Sequence, residues 1–311
     1  MRRMLIDTDT GSDDVWALIA ALRATEEVKV EAITVVCGNV PLDLCVKNAL
    51  IAVEKAGTYI PPVYRGMSRP LVRDKLYTSE YVHGKDGLSD LNLPYPSIKE
   101  DPGHAMDAII DLVMANPGEI EIVTLGPLTN LAMAYLKEPR IARLIKKVYI
   151  MGASGQDQGN ATPAAEFNVY VDAEAAQIVL QSGMDSLWVT WDVCRGECEI
   201  TPEDIAHLRG LGSPVADFCV DCTTVLRQYE QNKYGKDSYG VIDSIIMIAV
   251  LYPGVMGKVY QAYCQVETKA GLTYGYFSID KQHQLHHPVN ASICQEVDSK
   301  LYKQRLFQLF S

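Results

Sequence analysis

The stretch MLIDTDTGSDDVWALIAAL, residues 4–22, joins a short strand pattern to a helical pattern, and four carboxylates lie at the junction. The strand is predicted at residues 4–7 and the helix at 13–25, with Ser12 or Asp13 as its N-cap. In an open α/β sheet, ligands bind beyond the carboxyl ends of the strands. The junction therefore indicates both an α/β fold and a binding edge.

The alternation of strand and helix continues along the chain. Apolar strand patterns without a polar face follow at residues 28–38, 62–66, 119–126, 146–152 and 186–193. Helical patterns separate them at 42–57, 105–118, 127–136, 172–183, 202–210 and 214–230. Strands of this kind form parallel sheets that helices cover on both faces. Beyond about residue 258, three further strand patterns lie near enough in sequence to form hairpins.

These patterns predict one α/β domain that spans residues 1–311. Its sheet is expected to be open, mostly parallel and Rossmann-like, flanked by helices, with antiparallel strands toward the C-terminus. Two segments without a regular pattern, 67–102 and 152–168, each follow a strand. We expect both to form walls of a site at the carboxyl edge of the sheet.

The composition of the chain limits the classes of function that it can have. The 311 residues carry a net charge of −11, which argues against a surface for nucleic acid or an anionic membrane. An acidic protein suits a metal cation and a small neutral substrate. The sequence has no run of about 18 apolar residues and no recognisable leader, so a cytoplasmic location is predicted. The eight cysteines are expected to be free core thiols, including Cys219 and Cys222.

The four carboxylates of the opening stretch are Asp7, Asp9, Asp13 and Asp14. Like charges this close are destabilising unless they are protonated, solvated or neutralised by a cation. One or two of them could serve only as turn or capping residues, and a helix N-terminus favours part of the charge. Four together favour a metal-binding site.

A phosphatase of the haloacid dehalogenase type is an alternative. Its D-x-D-x-T pattern follows a strand, and LIDTDT (5–10) matches it with Asp7 as the nucleophile. That family also needs a later lysine and a later acidic pair, for which DSLWVTWD (185–192) is a poor match. The phosphatase pattern also gives no role to Asp13 and Asp14. An EF-hand loop fits no better, because Leu18 occupies the position that needs glutamate.

The octet DTDTGSDD (7–14) resembles the D-x-D-x-G-x-D-D signature of the inosine–uridine-preferring nucleoside hydrolases. The resemblance continues in order along nearly the whole chain, through TVVCGN (34–39), HGKDGL (83–88), LGPLTNLAMA (125–134), KVYIMGAS (147–154), GNATPAAEFNVYVDAEAA (159–176), IDSIIMIAVLYP (242–253), YGYFSID (274–280) and PVNASI (288–293). Each match alone is weak, whereas the ordered set is specific. The resemblance implies hydrolysis of the N-glycosidic bond of ribonucleosides.

The resemblance also implies a bound Ca²⁺ ion. Its ligands would be the carboxylates of Asp9, Asp14 and Asp243 and the main-chain carbonyl of Leu125, an all-oxygen set of the kind Ca²⁺ prefers. A bound cation lowers the pKa of a neighbouring water, and Asp9 would be the general base that takes its proton. Asp7 is expected to lie behind these ligands in a supporting position.

The ribose is expected to bind polar side chains. The resemblance assigns this role to Asp13, Asn39, Asn160, Glu166 and Asn168. The order Glu-Phe-Asn predicts an extended segment with Glu166 and Asn168 on one side and Phe167 on the other. Such a site would prefer ribosides, because a substrate that lacks a hydroxyl leaves the polar groups unpaired.

The sequence departs from the family at the leaving base. Many members have a histidine immediately before the last metal-binding aspartate, where it can protonate the base, and this chain has Ile242 there. Another residue could donate the proton, stacking between aromatic rings could suffice, or turnover could be low. The candidate donors are His83, Tyr229, Tyr234 and Tyr239. The expected base pocket contains His83, Phe167, Trp191, Tyr229 and Ile242, and Trp191 could either stack on a base or fill the core.

The sequence thus predicts a Ca²⁺-dependent hydrolase that releases ribose and a purine, a pyrimidine or a modified base such as that of queuosine. A nucleoside- or ribose-binding homologue with little turnover is the alternative that Ile242 leaves open, and the phosphatase is the weaker one. The expected partner is a small nucleoside rather than a nucleic acid or a membrane. The resemblance further implies a homodimer or homotetramer.

Overall fold

A nine-stranded sheet lies at the centre of the molecule in the computed structural model, which describes residues 1–269 and 271–311. Its strands are β1 (Arg2–Thr8), β2 (Val28–Val35), β3 (Val63–Arg65), β4 (Ile120–Thr124), β5 (Lys147–Met151), β6 (Ser186–Val189), β7 (Val259–Val266), β8 (Phe277–Asp280) and β9 (Ala291–Cys294). Their spatial order is β3-β2-β1-β4-β5-β6-β9-β7-β8.

The sheet is mixed. The strands from β3 across to β6 are parallel, and β9 continues the parallel part beside β6. Strand β7 is antiparallel to both β9 and β8. The predicted single-domain α/β fold, mostly parallel with antiparallel strands toward the C-terminus, is confirmed. Because β1 lies between β2 and β4, the order of strands reverses at β1, which is where open α/β sheets bind ligands.

Thirteen α-helices surround the sheet within the described ranges. They are α1 (Ser12–Arg23), α2 (Leu42–Ala56), α3 (Glu80–His83), α4 (Ala105–Ala115), α5 (Thr129–Lys137), α6 (Ile141–Leu144), α7 (Phe167–Val171), α8 (Ala173–Gln181), α9 (Pro202–Gly210), α10 (Pro214–Cys222), α11 (Thr224–Tyr234), α12 (Ile242–Leu251) and α13 (Ser299–Phe310).

Helices cover both faces of the sheet because side chains alternate along each strand. In β1, Met4 and Ile6 belong to one hydrophobic cluster, which includes residues of α1, α2 and α12. Leu5, between them, belongs to a second cluster with residues of α4, α5 and α8. Helix α12 is buried along its whole length and packs against α1. That packing brings residues from the two ends of the sequence to the same edge of the sheet.

Two predictions about helix ends are wrong. The N-cap of α1 is Gly11 rather than Ser12 or Asp13, and its amide donates to Asp14 Oδ2 over 2.8 Å. The helix predicted at 214–230 is two helices, α10 and α11, which are separated at Thr223.

The strand predicted at 186–193 is also too long. Strand β6 ends at Val189, and short 3₁₀ turns follow at Trp191–Cys194 and Gly196–Cys198. Trp191 therefore lies in a turn beyond the carboxyl end of the sheet.

The cysteines are free and buried, as predicted, and this includes Cys219 and Cys222. Within the described ranges, we find no helix with the length and apolar character needed to cross a membrane.

Candidate active site

The acidic cluster forms where β1 meets α1 and where α12 begins. Asp13 and Asp14 lie in the first turn of α1, and Asp243 lies in the first turn of α12. One carboxylate oxygen from each lies within 4.8 Å of the others. All three side chains are buried. The packing of α1 against α12 therefore creates a concentrated negative site from residues that are more than two hundred positions apart.

Asp9 lies beside this cluster and is tightly framed. Its Oδ2 accepts a hydrogen bond from the amide of Asn39 over 2.8 Å, while its buried Oδ1 has no partner among the described residues. A Cβ added at Gly38 would lie 2.0 Å from Oδ2, and one added at Gly126 would lie 2.5 Å from Oδ1. The two glycines therefore leave just enough room for this carboxylate.

Burial and mutual repulsion shift the acids toward their protonated forms. The pKa values of Asp9 and Asp243 are raised well above the usual range for aspartate. Burial is the largest cause, and the negative charge of Asp14 is the second. Burial also raises the pKa of Asp13 to about 6, although four nearby amides offset part of the shift. It raises the pKa of Asp14 to about 6, with the charge of Asp13 adding to the effect. A cation would relieve this penalty and hold the carboxylates ionised.

Other oxygens complete a set suited to a hard cation. The carbonyl of Leu125 accepts a hydrogen bond from Asn168 Nδ2 over 2.7 Å, and Leu125 and Asp243 both line a cavity beside the acids. The Oδ1 of Asp13, like that of Asp9, is buried without a partner among the described residues. Clustered carboxylates, a carbonyl and unpartnered oxygens fit a divalent ion of the Ca²⁺ or Mg²⁺ type.

Asp7 lies deeper than the other acids. Its Oδ1 accepts hydrogen bonds from Thr34 Oγ1 at 2.5 Å and Asn130 Nδ2 at 2.8 Å, and burial raises its pKa to about 7. It is absent from the cavity wall. This placement fits a supporting role, and it is unsuited to the phosphatase nucleophile, which must be open to substrate.

A cavity of about 820 Å³, a volume that includes its open mouth, lies next to the cluster. The predicted ribose-binding residues all line it, and so do the predicted base-pocket residues: Asp13, Asn39, Asn160, Glu166, Asn168, His83, Phe167, Trp191, Tyr229 and Ile242. Leu125 and Asp243 also line it, whereas Asp9 and Asp14 lie behind its wall.

The Glu-Phe-Asn segment is not the extended segment that was predicted. Glu166 is the N-cap of α7, and its carboxylate accepts amide hydrogen bonds from Ala153, Asn168 and Val169 at 2.8–3.2 Å. Because helix geometry replaces the two-residue alternation of a strand, Phe167 lies on the cavity wall with its neighbours and not opposite them. Burial raises the pKa of Glu166 to about 7, against the effect of these amides.

The candidate proton donors differ in their surroundings. His83 Nδ1 faces Ser12, at 2.8 Å from the hydroxyl, and burial lowers the pKa of His83 to about 4. Tyr229 and Tyr234 line the cavity, and the Tyr229 hydroxyl accepts a hydrogen bond from Lys233. Tyr239 is wrong as a candidate, because it is buried outside the cavity with its hydroxyl 3.1 Å from that of Thr223.

The cavity wall also contains charged residues that the sequence analysis missed. Arg195, Glu199 and Glu230 line the end that carries Trp191 and Tyr234. The guanidinium carbon of Arg195 lies 4.9 Å from the ring centre of Trp191 and 5.0 Å from that of Tyr234. No motif predicts this group, because it forms only where α11 packs beside the 3₁₀ turns.

The comparisons with known proteins agree with this geometry. The sequence model of the family described as "Inosine-uridine preferring nucleoside hydrolase" matches residues 4–304.

The chain belongs to this nucleoside hydrolase family.

Two relatives and one solved structure illustrate the similarity. The chain is 34% identical over 279 residues to the probable uridine nucleosidase 2 of Oryza sativa subsp. japonica, covering 89% of this chain and 82% of that protein. It is 33% identical over 296 residues to the pyrimidine-specific ribonucleoside hydrolase RihA of Citrobacter koseri, covering 95% and 93%. The structure of a plant nucleoside hydrolase, PpNRh1, superposes with a TM-score of 0.93 at 30% identity, covering 99% and 98%.

Membership of this family makes the chain a hydrolase of N-glycosidic bonds in ribonucleosides. The acidic cluster is the candidate metal centre of this nucleoside hydrolase. The cavity beside the cluster is the candidate substrate site.

Proposed function

We propose that this nucleoside hydrolase uses Ca²⁺, employs Asp9 as general base and accepts uridine as a substrate. The acidic cluster is the observation that carries the proposal. Oxygens of Asp13, Asp14 and Asp243 lie within 4.8 Å of one another, and Asp9 Oδ1 is buried without a partner among the described residues. Such a concentration of buried carboxylates is destabilising unless the groups are protonated or a cation is bound, and a cation allows them to stay ionised.

The residues that would hold the ion are Asp9, Asp14, Asp243 and, through its carbonyl, Leu125. Asp13 belongs to the same cluster and also lines the cavity, so a sugar hydroxyl that it binds would lie next to the ion. When bound, Ca²⁺ neutralises the carboxylates and lowers the pKa of a neighbouring water.

Asp9 would take a proton from the attacking water. Its Oδ2 is engaged by the amide of Asn39, so the unpartnered Oδ1 is the atom available for the proton. Gly38 and Gly126 restrict the carboxylate to one place. Such restriction favours proton transfer, because the base is held in position before the reaction begins.

The sugar would be recognised by the buried polar residues of the cavity, Asp13, Asn39, Glu166 and Asn168 among them. A 2′-deoxyribonucleoside would leave some of these groups unpaired, so ribonucleosides should react faster. Uridine is the proposed base because the names of the two relatives specify uridine or pyrimidine ribonucleosides.

Asp9→Asn tests the proposal. The substitution keeps the shape of the side chain and removes its basicity, so release of ribose from uridine should fall roughly 100- to 10,000-fold. A reducing-sugar assay with Ca²⁺ or with a chelator measures it, and the chelator should also stop the wild-type reaction. Asp185→Asn is the matched control, since Asp185 is an exposed residue that precedes β6 at the other end of the sheet.

Two results would contradict the proposal. Turnover that persists in chelator would exclude the metal, and turnover that survives Asp9→Asn would exclude the assigned base. Binding of uridine without release of ribose would instead favour the nucleoside-binding alternative.

We further propose that the enzyme acts on free nucleosides in the cytoplasm as a homodimer or homotetramer. The net charge of −11 supports a small-molecule partner over nucleic acid or an anionic membrane. Eight free cysteines support a reducing compartment. Light scattering coupled to gel filtration would test the oligomeric state, and a monomer at assay concentrations would contradict it.

A further inference from the structure

Glu230 offers a carboxyl group in a cavity whose lining histidine, His83, faces the hydroxyl of Ser12. We propose that Glu230 donates the proton that the base needs as it leaves the ribose. This inference rests on the proposed function, because it assigns one further step of the same hydrolysis. Ile242, beside Asp243 on the cavity wall, has no proton to give.

The position of Glu230 is the first argument. It follows Tyr229 on α11 and lines the cavity, with only 5% of its surface exposed. Its Oε2 is buried and has no hydrogen-bond partner among the described residues. An unpaired buried carboxyl is costly in an empty site. A base that accepts a hydrogen bond from Oε2 would remove that cost.

The charged neighbours of Glu230 are the second argument. Arg195 and Glu199 face it from the turns after β6, and Lys233 and Lys236 come from the end of α11 and the residues beyond. Burial raises the pKa of Glu230, the Arg195 guanidinium offsets part of the shift, and the Glu199 charge adds to it. The net direction is upward, so the proton is held more firmly than on an exposed glutamate.

The pKa of Glu199 is shifted in the opposite direction to that of Glu230. Burial opposes its ionisation, but hydrogen bonds from Ser238 Oγ at 2.6 Å and Lys236 Nζ at 2.9 Å hold its pKa below the usual value. In many active sites, the surroundings of two neighbouring carboxyl groups move their pKa values apart. The group with the higher pKa then acts as the acid, and the other stays charged. Glu230 is the member of this pair with the raised pKa, so it holds a proton more readily than Glu199.

The other donors at this end are weaker. Burial raises the pKa of Tyr81 and of Tyr229, and Tyr234 is 40% exposed. A phenol is a poorer acid than a carboxyl group even before such shifts. Arg195 has a different use, because its stacking against Trp191 and Tyr234 holds a positive charge near the carboxylate that Glu230 becomes.

The step balances without another reactant. The bond between C1′ and the base nitrogen breaks, and its electron pair goes to the base. The proton moves from Glu230 Oε2 to a heteroatom of the base, while the water oxygen bonds to C1′ and gives a proton to Asp9. Exchange with solvent returns a proton to Glu230 and removes one from Asp9, so nucleoside and water become ribose and free base.

Glu230→Gln, assayed on two substrates, tests the assignment. Uridine needs a proton on its leaving base, whereas 4-nitrophenyl β-D-ribofuranoside releases a phenolate that is stable without one. The variant should lose roughly 100- to 10,000-fold of kcat with uridine and little with the nitrophenyl riboside. Retained turnover of the nitrophenyl riboside also shows that the variant folds. Glu203→Gln, at an exposed position in the first turn of α9, is the matched control.

Each outcome has a distinct meaning. An equal loss with both substrates, or no loss with uridine, would overturn the role of Glu230 while leaving the hydrolase intact. Asp9→Asn should lose both activities. A wild-type protein with Ca²⁺ that cleaves neither substrate would overturn the proposed function itself and this inference with it.

Discussion

Two residues without side chains confine the carboxylate of Asp9. Gly38 follows β2 and Gly126 follows β4, so they come from the two strands that flank β1. Asp9 lies just beyond β1, between the two glycines. Gly38 is close to one of its carboxylate oxygens and Gly126 is close to the other. Neither glycine has a positive φ. Lack of space, and not backbone conformation, is therefore the reason why these positions need glycine.

Gly38→Ala or Gly126→Ala should displace Asp9. The added Cβ would lie 2.0 Å or 2.5 Å from a carboxylate oxygen, which is far inside van der Waals contact. We expect Ca²⁺ affinity to fall roughly 10- to 100-fold, as when the support of a metal ligand is removed, together with turnover. Calorimetric titration with Ca²⁺ measures the first effect, and ribose release measures the second.

Gly210→Ala is the control for both substitutions. Gly210 ends α9, and a Cβ there would meet nothing within 4 Å. Wild-type affinity for Ca²⁺ in the Gly38 and Gly126 variants would show that the two glycines do not position Asp9.

For single residues, the sequence indicates membership of the site wherever the residues belong to an ordered motif. Asn39, Asn160 and Asn168 were assigned to the ribose from such motifs, and all three line the cavity. Arg195 and Glu230 were missed, because their proximity depends on tertiary packing between segments without a recognisable spacing. A charge beside an aromatic residue is common on exposed helices, so neither position signals a buried role.

Strands and long helices were predictable because their apolar periodicity is strong. Errors appear where a side chain replaces a regular backbone hydrogen bond. The Glu-Phe-Asn segment became the start of α7 because Glu166 accepts the amides of Asn168 and Val169. A carboxylate that caps a helix and also lines a cavity has no distinctive signal in the sequence.

The break between α10 and α11 has a similar origin. Ser89, from the long loop before α4, donates its hydroxyl to the carbonyl of Cys222 at 2.7 Å and accepts the amide of Val225 at 3.0 Å. The hydroxyl of Thr223 lies 3.1 Å from the carbonyls of Cys219 and Val220. Because Ser89 is distant in sequence, no local pattern could place this break.

Ser89→Ala should weaken the junction of α10 and α11. It removes an acceptor and a donor from a partly buried site, so the free energy of unfolding should fall by about 1–3 kcal/mol. Since α11 carries Tyr229 and Glu230, KM for uridine should also rise. Urea unfolding and steady-state kinetics measure the two effects. Ser68→Ala, at an exposed position, is the control, and equal behaviour of both variants would count against this role for Ser89.

At the scale of the whole molecule, the sheet places the site at its point of reversal. Strand β1 lies between β2 and β4, and the acids follow its carboxyl end. The alternating patterns were enough to predict this edge. The insertion of β9 between β6 and β7 was not predicted, because hairpin-like spacing does not reveal which strand of a mixed sheet meets the parallel part.

The buried acids should make the stability of the protein depend on pH and Ca²⁺ together. The pKa values of Asp9, Asp13, Asp14 and Asp243 are raised in the folded state, to about 6 for Asp13 and Asp14. Above the ordinary aspartate pKa, these four carboxyl groups thus bind more protons in the folded protein than in the unfolded chain. In chelator, Tm should fall as the pH rises from about 4 toward neutrality.

In the proposed function Ca²⁺ binds the deprotonated carboxylates, so adding it should reverse this trend. The increase in Tm on adding Ca²⁺ should therefore be larger at about pH 7.5 than at about pH 5. Differential scanning fluorimetry across both conditions measures this. The same increase at the two pH values would contradict ionisation of the cluster on binding.

The place of β9 also has a consequence for biosynthesis. Residues 291–294 leave the ribosome after β6 and β7, yet they pair with both strands and so join the two parts of the sheet. Asp243, too, emerges long after the other acids of its cluster. A nascent chain therefore cannot complete the sheet until β9 has been synthesised. Until then the edge of β6 is unpaired, and exposed apolar surface and unpaired strand edges favour aggregation of the incomplete chain.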